Sequence, residues 1–213
     1  MLLLIAIVLF IPSRVSAGNP SALSEAKASE QALGFLKNMY DDLTDVQVTN
    51  IVFDEAEGIQ KSFYIVDFTD DNNSYYQVEI SAETGELEYI LLEQQGIDFQ
   101  EESFPLNDID FDDLYKKGKE IFRQVRGEDC ESKSSTCEYN ITKENTIPHG
   151  NINFLFELNN GDAVRLLYNV NNDVFWNLTY ISYYQSYRNQ QDANESYRQD
   201  LGITRNIMDM TGK

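Results

Sequence analysis

The chain offers few side chains for nucleophilic or acid–base catalysis. His149 is its one imidazole and lies in a Pro-His-Gly turn, so a Ser-His-Asp or Cys-His mechanism would depend on it. The sequence contains no GxSxG elbow and no glycine-rich phosphate loop. Its 36 acidic residues give no pair that stands out as a glycosidase couple. We therefore predict a protein that is not an enzyme, has no cofactor, and carries His149 as an exposed turn residue.

The two cysteines, Cys130 and Cys137, lie close together in a polar segment. In an oxidising compartment such a pair is expected to form one local disulfide. A bridge that closes so short a loop would contribute roughly 2 kcal/mol to the free energy of unfolding. The alternative is a redox or metal-binding pair, which usually has the closer CxxC spacing.

A run of acidic residues at 108–113 has the D-x-D-x-D opening of an EF-hand calcium loop. It departs from that loop at Asp113, where glycine is required, and at Lys119, where glutamate is required. The alternative interpretation is a helix N-terminus rich in carboxylates. Three more carboxylates surround a predicted hairpin: Asp67, Asp70 and Asp71. We predict no defined metal site and allow only weak association with Ca²⁺.

The N-terminal segment indicates export. Residues 1–11 are apolar, and Val15-Ser16-Ala17 gives the small residues of a signal-peptide cleavage site, with cleavage expected after Ala17. A membrane span needs ~20 apolar residues, so an uncleaved anchor is the weaker alternative. Asn-x-Ser/Thr glycosylation sequons occur at Asn72, Asn140, Asn177 and Asn194. Of these, Asn177 falls inside an aromatic strand pattern. We predict a secreted, extracellular glycoprotein.

The charge of the chain limits its partners. It has 36 acidic and 16 basic residues and a formal net charge of −20, which opposes binding to nucleic acid and to anionic membranes. The imbalance is concentrated in residues 18–106, with 19 acidic and 3 basic residues. Residues 107–185 have 13 and 8, and residues 186–213 have 4 of each. A basic partner or Ca²⁺ should therefore bind the first half of the chain.

Two helices are predicted from apolar residues that share one helical face. The first set is Ala28, Ala32, Phe35, Leu36 and Met39, and the second is Leu114, Gly118, Ile121, Phe122 and Val125. The second set repeats the spacing of the first after 86 residues.

After each helix the apolar pattern changes to the period of two that is typical of strands. Four strands are predicted after each helix, at 46–53, 60–69, 75–81 and 87–92, and at 139–142, 151–158, 163–170 and 174–184. Alignment of 64–68 with 154–158 places the strand repeat at an offset of 90 residues. The fold class is α+β: two tandem units, each with one helix packed on a four-stranded antiparallel sheet.

The chain is accordingly divided into five parts. They are a signal peptide (1–17), a strongly acidic first unit (18–93), a linker (94–107), a second unit (108–185) and a polar tail (186–213). We interpret the tail as partly disordered, with one weak helix as the alternative. The 13 tyrosines either form a recognition face on a sheet or alternate between the helix side and a solvated side.

A helix followed by a four-stranded meander, written twice in a secreted chain, resembles the cystatin superfamily. PepSY-type modules share this layout, and Ala82-Glu83-Thr84-Gly85-Glu86-Leu87 is similar to their Thr-Gly-Glu hairpin. The resemblance covers residues 20–185 and implies two cystatin-like domains.

Cystatins that inhibit papain-like proteases insert two hairpins, Gln-x-Val-x-Gly and Pro-Trp, into the active-site cleft. Here only the glycines remain, at Gly58 and Gly150, while Trp176 is not preceded by proline. These three residues are the candidate hairpin contacts. The predicted function is extracellular protein binding, with a basic protein or a protease as partner. The alternatives are a protease inhibitor with altered loops and an acidic matrix protein that binds calcium or mineral.

Overall fold

A computed structural model gives the fold of the chain and describes residues 23–40, 43, 45–55, 61–93, 103–127, 131–182 and 203–213. The predicted signal peptide, Gly58, Cys130 and Asn194 lie outside these described residues. Within the described part, neither helix is long and apolar enough to cross a membrane.

Within the described residues the chain forms two helices, α1 (Glu25–Met39) and α2 (Phe111–Arg126). The strands are β1 (Gln47–Glu55), β2 (Ser62–Thr69), β3 (Tyr75–Ser81), β4 (Leu87–Glu93), β5 (Phe104–Pro105), β6 (Ser134–Ile141), β7 (Thr146–Ile147), β8 (Asn151–Glu157), β9 (Ala163–Asn169), β10 (Val174–Ile181) and β11 (Thr204–Asp209). Short 3₁₀ turns occupy Leu106–Asp108 and Pro148–Gly150. We call α1 with β1–β4 the first unit, and α2 with β6 and β8–β10 the second unit.

The predicted repeat is present, and its strand offset is 88 residues rather than 90. Val66 pairs with Val78 in the first unit, and Phe154 pairs with Leu166 in the second. The last hairpin of each unit also has the same irregularity, because Glu88 and Trp176 are both skipped in the pairing of their strands. An offset error of two keeps every side chain on its predicted face, since side chains alternate with a period of two.

The sequence predicts a separate sheet for each of the two units, and the structure corrects this. They share one nine-stranded sheet in the order β1-β2-β3-β4-β10-β9-β8-β6-β11. The last strands of the units, β4 and β10, pair antiparallel, with Ile90 opposite Leu178. These two residues are themselves equivalent at the offset of 88, so the junction has an approximate two-fold axis. Pairing removes an open edge from each unit, which is the physical reason for the fusion.

Both helices pack on one side of this sheet and form a common core with it. Ser24 and Asp110 accept hydrogen bonds from backbone N–H groups in the first turns of α1 and α2, as helix-capping residues do. The helices differ in the size of the side chains that they bury. In α1 these include the small residues Ala28 and Ala32. In α2 the ring of Phe122 stacks on Phe156 with centroids 4.7 Å apart.

The predicted linker and the predicted tail both contain strands, which the sequence did not predict. In the predicted linker, β5 pairs with β7, and Leu106 packs against the core. In the predicted tail, β11 pairs with the outer edge of β6 along its whole length. Met210, directly after β11, is fully buried. The C-terminal residues therefore complete the second unit.

Candidate protein-binding surface

The sheet has one side covered by α1 and α2 and an opposite side that the helices do not cover. Along β2, Tyr64, Val66 and Phe68 point to the helices and are buried, while Ile65 and Asp67 alternate with them and remain partly exposed. We call the side of β1–β4 away from the helices the outer face of the first unit.

The four strands of the first unit hold only acidic charges. Their sequences contain six carboxylates and no Lys or Arg. The strand register places Asp54, Asp67 and Glu79 on the outer face, because each pairs with a residue of that face. The acidity that the sequence assigned to the first unit is thus partly concentrated on one side of the sheet.

Asp67 is held in place by the polar side chains around it. Its carboxylate accepts hydrogen bonds from the Tyr75 hydroxyl at 2.7 Å and from the amides of Gln77 and Asn50, both at 3.1 Å. Burial and the neighbouring Asp67 raise the pKa of Tyr75 to about 12. Three donors satisfy this carboxylate without a cation.

Glu79 is in a different situation. Burial raises the pKa of its carboxyl, and the nearby charges of Asp54 and Glu88 raise it further. Burial also raises the pKa of Glu88, although Lys61 lies 3.5 Å from its carboxylate and acts in the opposite direction. The three carboxylates repel one another, so a bound positive charge would lower their energy.

The equivalent face of the second unit has leucines at two of these positions, beside polar residues and Arg165. At the offset of 88, Asp67 corresponds to Leu155 and Glu79 corresponds to Leu167. Leu155 and Ala163 are buried there in a small hydrophobic cluster that also contacts Ile181. The two units therefore share a backbone and differ in the chemistry of the outer face.

The junction between the units is polar on this side. The amide of Asn177 donates a hydrogen bond of 3.0 Å to the carbonyl of Ile90 across the β4–β10 pair. Thr179 donates to the Asn177 side chain at 2.8 Å and accepts from Arg165 at 3.2 Å. Burial, followed by the charge of Glu79, raises the pKa of Tyr89 beside this network.

The predicted glycosylation sites differ in accessibility. Asn72 and Asn140 are exposed, in a turn and on β6 respectively. Asn177 is only 2% exposed, and its amide is engaged with Ile90, so this packing leaves no space for an oligosaccharide. Glycosylation at the other sequons stays a prediction.

The structure shows no disulfide at the cysteine it describes. Cys137 is a free thiol, fully buried in the core side of β6, and burial raises its pKa strongly. A thiol with a raised pKa has little reactive thiolate at neutral pH. The predicted partner Cys130 lies outside the described residues.

Of the three candidate hairpin contacts, Gly150 and Trp176 lie in the described part of the chain. Gly150 is buried, with its backbone at φ 62°, and its carbonyl accepts a hydrogen bond from Val170. Trp176 lies partly buried at the irregular point of β10, not at a hairpin tip.

The acidic run at the start of α2 is used by the helix itself. Asp110 accepts a hydrogen bond from the N–H of Asp113 at 3.0 Å, and Asp113 lies 3.1 Å from Lys117. Asp112 lies 2.7 Å from Lys213. Asp70 accepts hydrogen bonds within its own hairpin. Among the described residues, no group of three or more metal-ligating side chains converges.

His149 lies on the surface, as the turn predicted. Its backbone has φ 57°, and its carbonyl accepts a hydrogen bond of 2.9 Å from the Asn169 amide. The side chain is exposed in the 3₁₀ turn before β8.

The tyrosines divide between the two sides of the sheet: Tyr64 and Tyr76 are buried under α1, and Tyr75 and Tyr89 alternate with them on the outer face.

The acidic outer face was within reach of sequence reasoning. The predicted strands place Asp67 and Glu79 on one side by their period of two, and the charge count had already separated the two units. Their proximity to Asp54 could not be found, since it depends on the register between three strands.

Comparisons with known proteins gave one solved structure. No protein-family model matches the sequence, and no curated protein matches it. The Bacillus megaterium YpeB C-terminal domain, which has a PepSY-like fold, is similar to the chain with a TM-score of 0.48 and 18% sequence identity. The similarity covers 74% of this chain and 63% of that structure, so the chain spans less than two thirds of its length.

Proposed function

We propose that the protein is a secreted, non-enzymatic module that binds a basic protein partner through the outer face of its first unit. The observation that carries this proposal is the difference between the two units. The two units share one repeated backbone, but Asp67 and Glu79 on the outer face of the first unit correspond to Leu155 and Leu167 in the second. A purely structural repeat gives no reason for that difference.

Electrostatics supports a basic partner. Asp54 and Glu88 lie close enough to Glu79 to raise the pKa of its carboxyl, and β1–β4 themselves contain no basic residue, although Lys61 just before β2 lies beside Glu88. A lysine-rich or arginine-rich surface would relieve the repulsion and would also be attracted from a distance.

Binding to poly-L-lysine, measured by calorimetry at low salt, tests this function. We expect the double variant Asp54→Asn/Glu79→Gln to bind about tenfold more weakly, since it removes two of the repelling charges. The matched control is Glu131→Gln/Glu144→Gln, which removes two exposed carboxylates of the second unit. Equal losses in both variants would mean that only net charge matters, and the proposal would be wrong.

Secretion is part of the same proposal and has its own test. Mass spectrometry of the protein recovered from the medium of expressing eukaryotic cells should show a mature N-terminus at residue 18. A product that is retained in the cell with residues 1–17 attached would contradict it.

A further inference from the structure

The first strands of the two units, β1 and β6, are equivalent in the repeat but have different neighbours in the sheet. β1 and β6 each follow the helix of their unit and pair on one side with the next strand, β2 or β8. The other side of β6 is covered by β11. Among the described residues, no strand pairs with the other side of β1. In the part of the chain that the structure describes, this edge is therefore covered in one unit and open in the other.

The equivalent positions show the effect of this difference on burial. Through their partners on β2 and β8, Ile51, Val52 and Phe53 correspond to Cys137, Glu138 and Tyr139. Glu138 and Tyr139 are 6% and 8% exposed, whereas Val52 and Phe53 are 43% and 36% exposed. An exposed hydrophobic edge strand readily pairs with another chain.

The edge of β1 has only part of the usual protection against such pairing, since its charged residues are Asp54 and Glu55 at the end of the strand. It contains no proline and no lysine, and its single register shift lies between Val48 and Asn50. The stretch from Asn50 to Glu55 is therefore regular and presents unpaired backbone N–H and C=O groups.

Charge selects the occupant of this edge. A second copy of the chain would bring two acidic first units together, which like-charge repulsion opposes. Asp54 and Glu55 end the strand, and β2–β4 behind it add four carboxylates and no basic side chain. An extended segment with Lys or Arg side chains is complementary to this edge.

The register of β11 on β6 shows where the side chains of such a segment would lie. Arg205 is opposite Asn140, and Ile207 is opposite Glu138. Asn140 corresponds to Asp54, and Glu138 corresponds to Val52. In a strand added to β1 in the same register, the residue that takes the place of Arg205 would lie beside the carboxylate of Asp54. The residue that takes the place of Ile207, two positions later, would lie beside the exposed Val52.

We propose that the outer edge of β1 binds an extended basic segment of a partner protein as an additional antiparallel strand. A Lys or Arg of that segment lies opposite Asp54, and an apolar residue lies opposite Val52. This inference rests on the proposed function and adds the mode of binding and the kind of segment that is recognised.

The probe is the peptide Lys-Thr-Arg-Asn-Ile-Met-Asn-Lys, which adapts the β11 sequence, and its counterpart has Glu in place of each Lys and Arg. Amide hydrogen exchange on the full chain should show new protection at residues 50–55 with the basic peptide. Protection at β6 alone would mean that the peptide displaces β11, and the inference would be overturned.

A charge reversal tests the register. Asp54→Lys should weaken binding of the basic peptide about tenfold and strengthen binding of the acidic one, since a cross-strand attraction becomes a repulsion. Glu144→Lys makes the same charge change at an exposed site of the second unit and should alter binding less than about twofold. Equal responses of the two variants would overturn the inference.

The outcomes separate this inference from the function on which it rests. Binding of the basic peptide and of poly-L-lysine without protection at β1 refutes strand addition and leaves the basic-partner function intact. Failure to bind either probe refutes both. A concentration-dependent dimer that protects β1 in the absence of peptide would assign the edge to a second copy and would also refute the inference.

Discussion

At the scale of single residues, two carboxylates on the outer face of the first unit differ in how they are satisfied. Asp67 accepts three side-chain hydrogen bonds, and it can stay charged where it lies. Glu79 is opposed by burial, Asp54 and Glu88.

Replacement of Glu79 with Gln should stabilise the protein at neutral pH. Because the pKa of Glu79 is raised on folding, its contribution to stability is fully present below the unfolded-state pKa and is lost as the pH rises through the folded-state pKa. We expect Glu79→Gln to gain less than about 1 kcal/mol in free energy of unfolding at about pH 7, and nothing at about pH 3.

Urea unfolding at both pH values measures this difference. Glu83→Gln, in the exposed turn between β3 and β4, is the control and should show no comparable pH-dependent gain. A gain for Glu79→Gln that is the same at both pH values would show that the charge of Glu79 is not its cause.

At the scale of elements, β11 decides the state of one sheet edge. It adds directly to β6, where Arg205 pairs with Glu138 at 2.8 Å. Both side chains are more than nine-tenths buried. The pair orients β11 and satisfies a buried carboxylate, so it fixes the register in which the C-terminal strand docks.

Loss of this ion pair should destabilise the protein strongly. Arg205→Met leaves the charge of Glu138 buried without its partner, and we expect a loss of about 3–5 kcal/mol in free energy of unfolding. The double variant Arg205→Met/Glu138→Leu should recover most of that loss, because no buried charge remains.

The exposed pair of Lys133 and Glu157 is the matched control, with Lys133 60% exposed. Lys133→Met should change the free energy of unfolding by less than about 1 kcal/mol. Denaturant unfolding measures all three variants. Similar losses for Arg205→Met and Lys133→Met would contradict the argument from burial.

At the scale of the whole molecule, the join between β4 and β10 turns two repeats into one body. Ile90 and Leu178 meet at the approximate two-fold axis, and both are almost fully buried. Further contacts cross between units: the Tyr40 hydroxyl of the first unit donates to the Phe175 carbonyl at 2.9 Å, and Asn38 donates to the Gln124 carbonyl at 3.0 Å. Neither unit keeps its buried surface without the other.

We therefore expect the two units to unfold together. Scanning calorimetry should give one thermal transition with equal calorimetric and van't Hoff enthalpies. Leu178→Ala should lower the free energy of unfolding by about 2–5 kcal/mol and keep a single transition, because it creates a cavity in the shared core. Ile207→Ala, at an exposed position of β11, is the control and should have a smaller effect.

Two separate transitions in the unaltered protein would contradict this view. So would a Leu178→Ala variant in which the first unit unfolds at an unchanged temperature, since the shared core would then make no contribution to it.

The local structure was largely readable in the sequence, because helix and strand periods depend on neighbouring residues. The helical repeat of 86 residues and both meanders are present. The start of β6 was missed because Ser134, Ser135 and Thr136 look like a polar loop. In the structure Ser135 is buried and its hydroxyl lies 2.7 Å from that of Tyr115.

The sequence by itself determined the α+β class, the two repeats and the acidity of the first, since these follow from period and composition. Only the tertiary structure decided that β4 pairs with β10 and that β11 covers β6. Strand edges carry the same backbone groups whatever their sequence, so pairing between distant strands leaves little local trace. That choice left β1 open beside the acidic outer face.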